Sequence, residues 1–230
     1  SQALPAGLPM ETTVVLEQLA QYQWRRHDYD SARYYHRYAA SLLRRAFPDS
    51  LALTRSHAVD GRQPVPAVLL AEHSYNAGLA CAALGQLPQA MRYYEQARHA
   101  YAQAANLAGL AWVHCLFAET LQKQRQAGRA ASHFRQALAA LRQLSRQQPD
   151  RAAQEWASTL ALYAPDLLAR HPAQLHQLAQ EGLAPLRPLL RAQPADRDLL
   201  ASATRLTLLT GRADLARAAA ETPATLAQAQ

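Results

Sequence analysis

The chain holds one lysine, Lys123, and two cysteines, Cys81 and Cys115. Two thiols are too few for a disulfide framework, and their spacing fits no zinc site. Both lie in apolar stretches that read as helix, so the expected state is two buried free thiols. An oxidising compartment would still allow a disulfide between neighbouring helices. No run of 18 apolar residues occurs, which excludes a transmembrane helix. No signal peptide is visible. The first residues, SQALPAGLP, lack a Met, as in a trimmed form; the expected location is cytoplasmic, or periplasmic if the chain is such a form. β-branched residues are scarce, which argues against sheet. Glycine numbers only 8 and no long polar tract occurs. That excludes a disordered or low-complexity chain.

What is present is alanine, leucine, glutamine and arginine, all strong helix formers. With 230 residues, half of them apolar, the chain can bury one or two substantial cores. The expected class is all-α. The net charge is +7 and the pI about 9.8, nearly all from arginine. Codon bias in a GC-rich genome accounts for this. So does selection of arginine for forked contacts to carboxylate or phosphate. Either way, acidic partners are attracted.

The stretch His73–Ala97, HSYNAGLACAALGQLPQAMRYYEQA, carries the architecture. Tyr75, Gly78, Leu79 and Ala82 recur at helical spacing, with small groups on one face. Gly78 costs roughly 1 kcal/mol against Ala inside a helix, so close approach of a second helix is expected there. Gly85 reads as a left-handed stop. Pro88 suits the first turn of the next helix, where Ala90, Met91, Tyr94 and Ala97 form the inward stripe. Tyr94 is expected to fill the space between hairpins.

The pattern repeats. Gly78, Ala90, Tyr94 and Ala97 match Ala118, Ala130, Phe134 and Ala137 at identical steps. They also match Ala20, Ala32, His36 and Ala39, and more loosely Thr204, Ala216, Ala220 and Pro223. This small–small–large–small pattern resembles the tetratricopeptide repeat of bacterial-type proteins. The resemblance covers Thr13–Ala39, Ala71–Ala97 and Ala111–Leu138, and loosely Arg197–Ala220. It implies a TPR-like α-solenoid of stacked antiparallel helical hairpins in a right-handed superhelix, forming one domain over 1–230. The expected hairpins lie near 13–46, 71–103, 111–147, 151–192 and 197–221, with TGRADL turning the last. Five prolines from Pro165 to Pro194 interrupt the fourth. A turn-rich insertion, 47–66, separates the first two and reads as a helix extension with a loop, or as a lip over a groove. Ser1–Pro9 and Thr222–Gln230 read as frayed tails or links.

In that family the first helix of each hairpin lines a concave face that binds peptides or proteins. The resemblance therefore places Glu17, Gln21, Trp24 and Arg25, then Glu72, Tyr75, Asn76 and Leu79, then Trp112, Cys115, Glu119, Gln122 and Lys123 on it. Asn76 offers an amide donor and acceptor to a peptide backbone. Trp24 and Trp112 are candidate anchors, or packing between hairpins. Arg25 and Lys123 would steer acidic segments. The carboxylate clamp of heat-shock-protein tail adaptors is broken here by Glu17, Gln21 and Trp112, which argues against that role.

No phosphate loop, H-E-x-x-H, C-x-x-C or nucleophile elbow occurs. The nine histidines are scattered and read as structural or solvated. Of the pairs His171–His176 and Glu95–His99, only the second shares a helical face, and that is one ion pair rather than a metal site. No catalytic residue, metal ligand or cofactor is expected. Arg33, Arg37, Arg44 and Arg45, interleaved with Tyr34, Tyr35 and Tyr38, suggest nucleic-acid contacts. The tyrosines, however, coincide with packing positions, which would leave the arginines as a solvated face. The leading expectation is a non-catalytic scaffold or adaptor for a protein or peptide of acidic character. A sensor or regulatory module of a larger signalling or transcription protein comes second, and a nucleic-acid binder third. End hairpins without a polar cap would also allow a homodimer.

Overall fold

The structure is a computed structural model that describes residues 7–47 and 66–228. The expected insertion therefore lies, but for its edges Phe47 and Pro66, outside the described residues. Every regular element among the described residues is α-helical. None of these helices is long and apolar enough to cross a membrane. The chain forms two compact units, Ser1–Phe134 and Arg135–Gln230.

The first unit holds α1 (Gly7–Arg25), α2 (Tyr29–Ala46), α3 (Pro66–Ala83), α4 (Leu87–Gln103), α5 (Leu107–Lys123) and the first part of α6 (Ala127–Gln147). α1 packs on α2, α2 on α3, α3 on α4 and α4 on α5. The residues of the three tight sequence matches lie inward. All twelve are buried, among them Ala20, Ala32, Ala39, Ala90, Ala97 and Ala118 at 0% exposure. At Gly78 the predicted close approach is met by a ring: a Cβ there would lie 2.5 Å from Tyr94 Cε1 and 3.2 Å from the Ala90 carbonyl oxygen. Gly109 on α5 meets the Tyr101 ring of α4 in the same way. Tyr94 itself packs edge-on against Phe117 with ring centroids 5.7 Å apart.

The turns share one geometry. After α3, the Gly85 N–H donates to the Ala82 carbonyl and the Gln86 N–H to Cys81. This is a Schellman closure, with Gly85 at φ 74°. The same pair of bonds closes α1, α4 and α5, with His27, Ala105 and Arg125 in the left-handed position at φ 61°, 50° and 59°. Asp28 and Asn106 then cap the next helices by accepting from the Ser31 and Gly109 N–H groups. A residue with a Cβ is strained in that conformation, and glycine is not. Ala105→Gly is therefore expected to stabilise the chain by about 0.5–1 kcal/mol, read as a rise in urea midpoint at constant slope. A fall in the midpoint would refute the closure at Ala105.

The second unit holds the rest of α6, then α7 (Pro149–Arg170), α8 (Pro172–Leu183), α9 (Leu186–Ala192) and α10 (Arg197–Gln228). α7, α8 and α10 each pack against the other two. Their core centres on Trp156, whose indole N–H donates to Ser145 Oγ at 2.9 Å. Gly182 sits against this indole and Leu206, each 3.2 Å from where a Cβ would be. Pro149 and Pro172 start helices, while Pro165 lies on the exposed side of α7. Two differences from the sequence reading stand out. Pro172 and Pro185 divide 151–192 into three helices rather than two. Arg197–Gln228 is one helix, with no turn at TGRADL. Leu206, Leu209, Thr210 and Ala213 carry a buried stripe through Gly211, and the Thr210 hydroxyl donates to the Leu206 carbonyl. The loose fourth match fails at its first position, since Thr204 is exposed.

Candidate functional site

All nine residues assigned to partner binding reach solvent. Trp24, Arg25, Gln122 and Lys123 are exposed, and Tyr75, Asn76, Leu79, Trp112 and Glu119 are half-buried. Tyr75, Leu79 and Trp112 pack one side against the core formed by Tyr94, Tyr101, Val113 and Phe117. Their packing and anchoring readings therefore coexist: each is rooted in the core and open at its edge. Trp24 rests edge-on against Tyr29 with centroids 5.0 Å apart. Lys123 is bound to Glu119 at 2.8 Å. Cys115 is buried and so is not on a binding face. Cys81 is buried as well, and burial raises its thiol pKa.

Side chains from α1, α2 and α3 meet at a cluster that no spacing announces. Glu17 Oε2 lies 3.4 Å from His36 Nδ1 and 3.2 Å from His73 Nδ1. The two Nδ1 atoms are 3.2 Å apart. Both imidazoles are buried, while the Glu17 side chain is 30% exposed. Gln21, one turn on from Glu17, donates its amide to Glu17 Oε1 at 2.9 Å. Burial works to raise the Glu17 carboxyl, but hydrogen bonds from His73 and Gln21 and the nearby imidazoles outweigh it and hold its pKa at about 2. Burial lowers the His36 imidazole to about 4, against the pull of Glu17. At neutral pH, Glu17 is thus a carboxylate and His36 a neutral imidazole. The sequence reading placed Glu17 on the face and took His36 as a packing residue. It missed the cluster because its members lie on three helices. Only the inward position of His36 in the repeat pattern hinted at it.

A second histidine pair lies between α5 and α6. His114 and His133 approach with Nδ1 atoms 3.0 Å apart, and His133 stacks on Phe117 with centroids 4.6 Å apart. Burial, then the charges of His133 and Arg98, lower the His114 imidazole to about 4, with Glu95 opposing. This sets a pH dependence. Between pH 6.5 and 4 the unfolded chain binds a proton at His114 that the folded chain excludes, so stability falls on acidification across that window. Allowing for partial solvent screening, His114 contributes about 2 kcal/mol of that fall. His114→Gln is expected to flatten the stability curve between pH 6.5 and 4 by that amount. An unchanged slope would show that His114 is protonated in the fold.

The basic stripe is arranged differently from the sequence expectation. Tyr34 and Tyr38 point outward, 61% and 42% exposed, and stack on each other with centroids 6.3 Å apart. The inward positions of α2 belong to Ala32, His36, Ala39, Ala40 and Leu43. Tyr34 and Tyr38 share a face one turn apart, off that stripe. Arg37, Arg44 and Arg45 are exposed beside them. Arg33 is held by Asp30 and Gln86, and Arg44 by Gln96.

No family model matches the chain, and no curated protein does. Among solved structures, the chain is similar to the crystal structure of BtubC (BKLC) from P. vanneervenii. That similarity has 17% identity and a TM-score of 0.43, over 94% of this chain and 91% of that one.

Proposed function

We propose that the chain is a non-catalytic scaffold or adaptor, similar to TPR-like solenoids, that binds a protein or peptide along α1, α3 and α5. The observation that carries this reading is the half-burial of Tyr75, Leu79 and Trp112. Aromatic and aliphatic side chains rooted in a core and open at one edge supply apolar contact with little ordering cost, which is how hot spots work. Asn76 lies beside Tyr75 and supplies a backbone-reading amide. Arg25 carries positive charge toward acidic segments. Lys123 adds less, because Glu119 neutralises it.

The test is retention of lysate protein from the source organism by immobilised wild type, Asn76→Ala and Trp112→Ala. A protein held by wild type and lost from both variants, with helicity unchanged, supports the reading. Equal retention by all three removes this face from consideration. The outward Tyr34 and Tyr38 beside Arg37, Arg44 and Arg45 favour a second reading, single-stranded nucleic-acid binding by stacking and phosphate contact. Affinity that falls steeply with salt, and falls again in Tyr34→Ala/Tyr38→Ala, would move the function there.

A further inference from the structure

We propose that Glu17, His36 and His73 form a binding site for a divalent transition-metal ion, zinc by preference, that ties α1, α2 and α3 together. One carboxylate oxygen and two Nδ1 atoms stand in a triangle with sides of 3.2, 3.2 and 3.4 Å. Protons cannot satisfy all three contacts at once. If both imidazoles donate to Glu17, two N–H groups confront each other. If one accepts, its lone pair faces the carboxylate. A cation between the three atoms takes every lone pair, and all three donor atoms lie within 4.8 Å of one another.

The dimensions select the geometry. A tetrahedral ion with bonds of about 2.0–2.1 Å holds its ligand atoms about 3.3 Å apart. An octahedral ion at the same bond length would hold neighbours about 2.9 Å apart. The observed sides agree with the tetrahedron. Two imidazoles and one carboxylate suit zinc and its neighbours, whereas magnesium and calcium demand oxygen. The support is also present: Gln21 orients the carboxylate through its other oxygen, the role that outer hydrogen bonds play around metal ligands. Glu17 is 30% exposed and provides the way in. Three protein ligands leave a fourth position for water. The scaffold reading and this site stand independently, since neither needs the other.

The experiment is Zn(II) titration of the chelator-treated full chain, with Co(II) as the spectroscopic probe. The expected result is one tight equivalent, an intense tetrahedral Co(II) absorption displaced by Zn(II), and a melting temperature raised by roughly 5–10 °C at hundredfold excess over Kd. Glu17→Gln, which keeps volume at a partly exposed position, His36→Gln and His73→Gln should each abolish the absorption. Gln21→Ala should weaken binding by about tenfold. His114→Gln/His133→Gln should leave it unchanged. Two results overturn the proposal: no binding by wild type, or binding that survives in a folded Glu17→Gln and disappears in the His114/His133 variant.

Discussion

Replacing Trp156 by Ala is expected to destabilise the second unit by about 3–5 kcal/mol, among the largest effects of any single substitution in the chain. The indole is 1% exposed and is the largest fully buried side chain. Gly182 sits against it and Leu206 flanks the same glycine, so truncation leaves a cavity whose walls lie on elements held by other contacts. Arg142 of α6, for instance, grips Glu181 of α8 through two bonds of 2.5 and 2.9 Å. The indole N–H adds a smaller part. Ser145 keeps its own bond to the Leu141 carbonyl when the indole is gone, so no buried hydroxyl is orphaned. Trp156→Phe should accordingly cost only about 1–2 kcal/mol. Denaturation followed by far-UV circular dichroism checks both. A cost below 1 kcal/mol for Trp156→Ala would mean the indole is not the centre of this core.

That core was the least legible part of the sequence. Trp156, Leu160, Leu175 and Leu206 mark it in the structure. In the sequence they are lost among leucines and alanines on every helical face, with prolines between. Nothing at 138–197 repeats the small–small–large–small pattern, because the three helices that meet there are not equivalent hairpins. The first unit was legible for the opposite reason. Close helix contacts demand small residues at fixed steps, and the ring that fills the gap must follow at a fixed step too. Gly85 and Pro88 marked one turn by their chemistry. His27, Ala105 and Arg125 adopt the same left-handed turn without any such mark.

At the nine residues assigned to partner binding, exposure was legible from helical period, whereas Cys115, expected on the same face, is buried. The Glu17–His36–His73 cluster was not legible. Its three members are separated by 19 and 37 residues, and only the packing of α1, α2 and α3 brings them into one place. The outward turn of Tyr34 and Tyr38 shows the same limit. Large aromatic residues fit packing positions by type, but the helix phase set by Ala32, His36 and Ala39 leaves no inward place for them.

Gly78→Ala is the sharpest test of the contact between α3 and α4 in the first unit. The added methyl would meet the ring of Tyr94 at 2.5 and 2.7 Å, and the Ala90 carbonyl at 3.2 Å. Tyr94 is 1% exposed and pinned edge-on by Phe117, so its ring cannot step aside without disturbing α5. Ala is the better helix former by roughly 1 kcal/mol, yet overpacking should win, for a net loss of about 2–3 kcal/mol. Tyr94→Leu alone should cost a similar amount by leaving a void. Together the two changes should cost less than their sum by more than 1 kcal/mol, because the smaller side chain makes room for the methyl. Strict additivity would mean that Gly78 and Tyr94 do not touch, and the hairpin of α3 and α4 would then pack through some other pair. A stabilising Gly78→Ala would go further, leaving helix propensity as the only effect at that position.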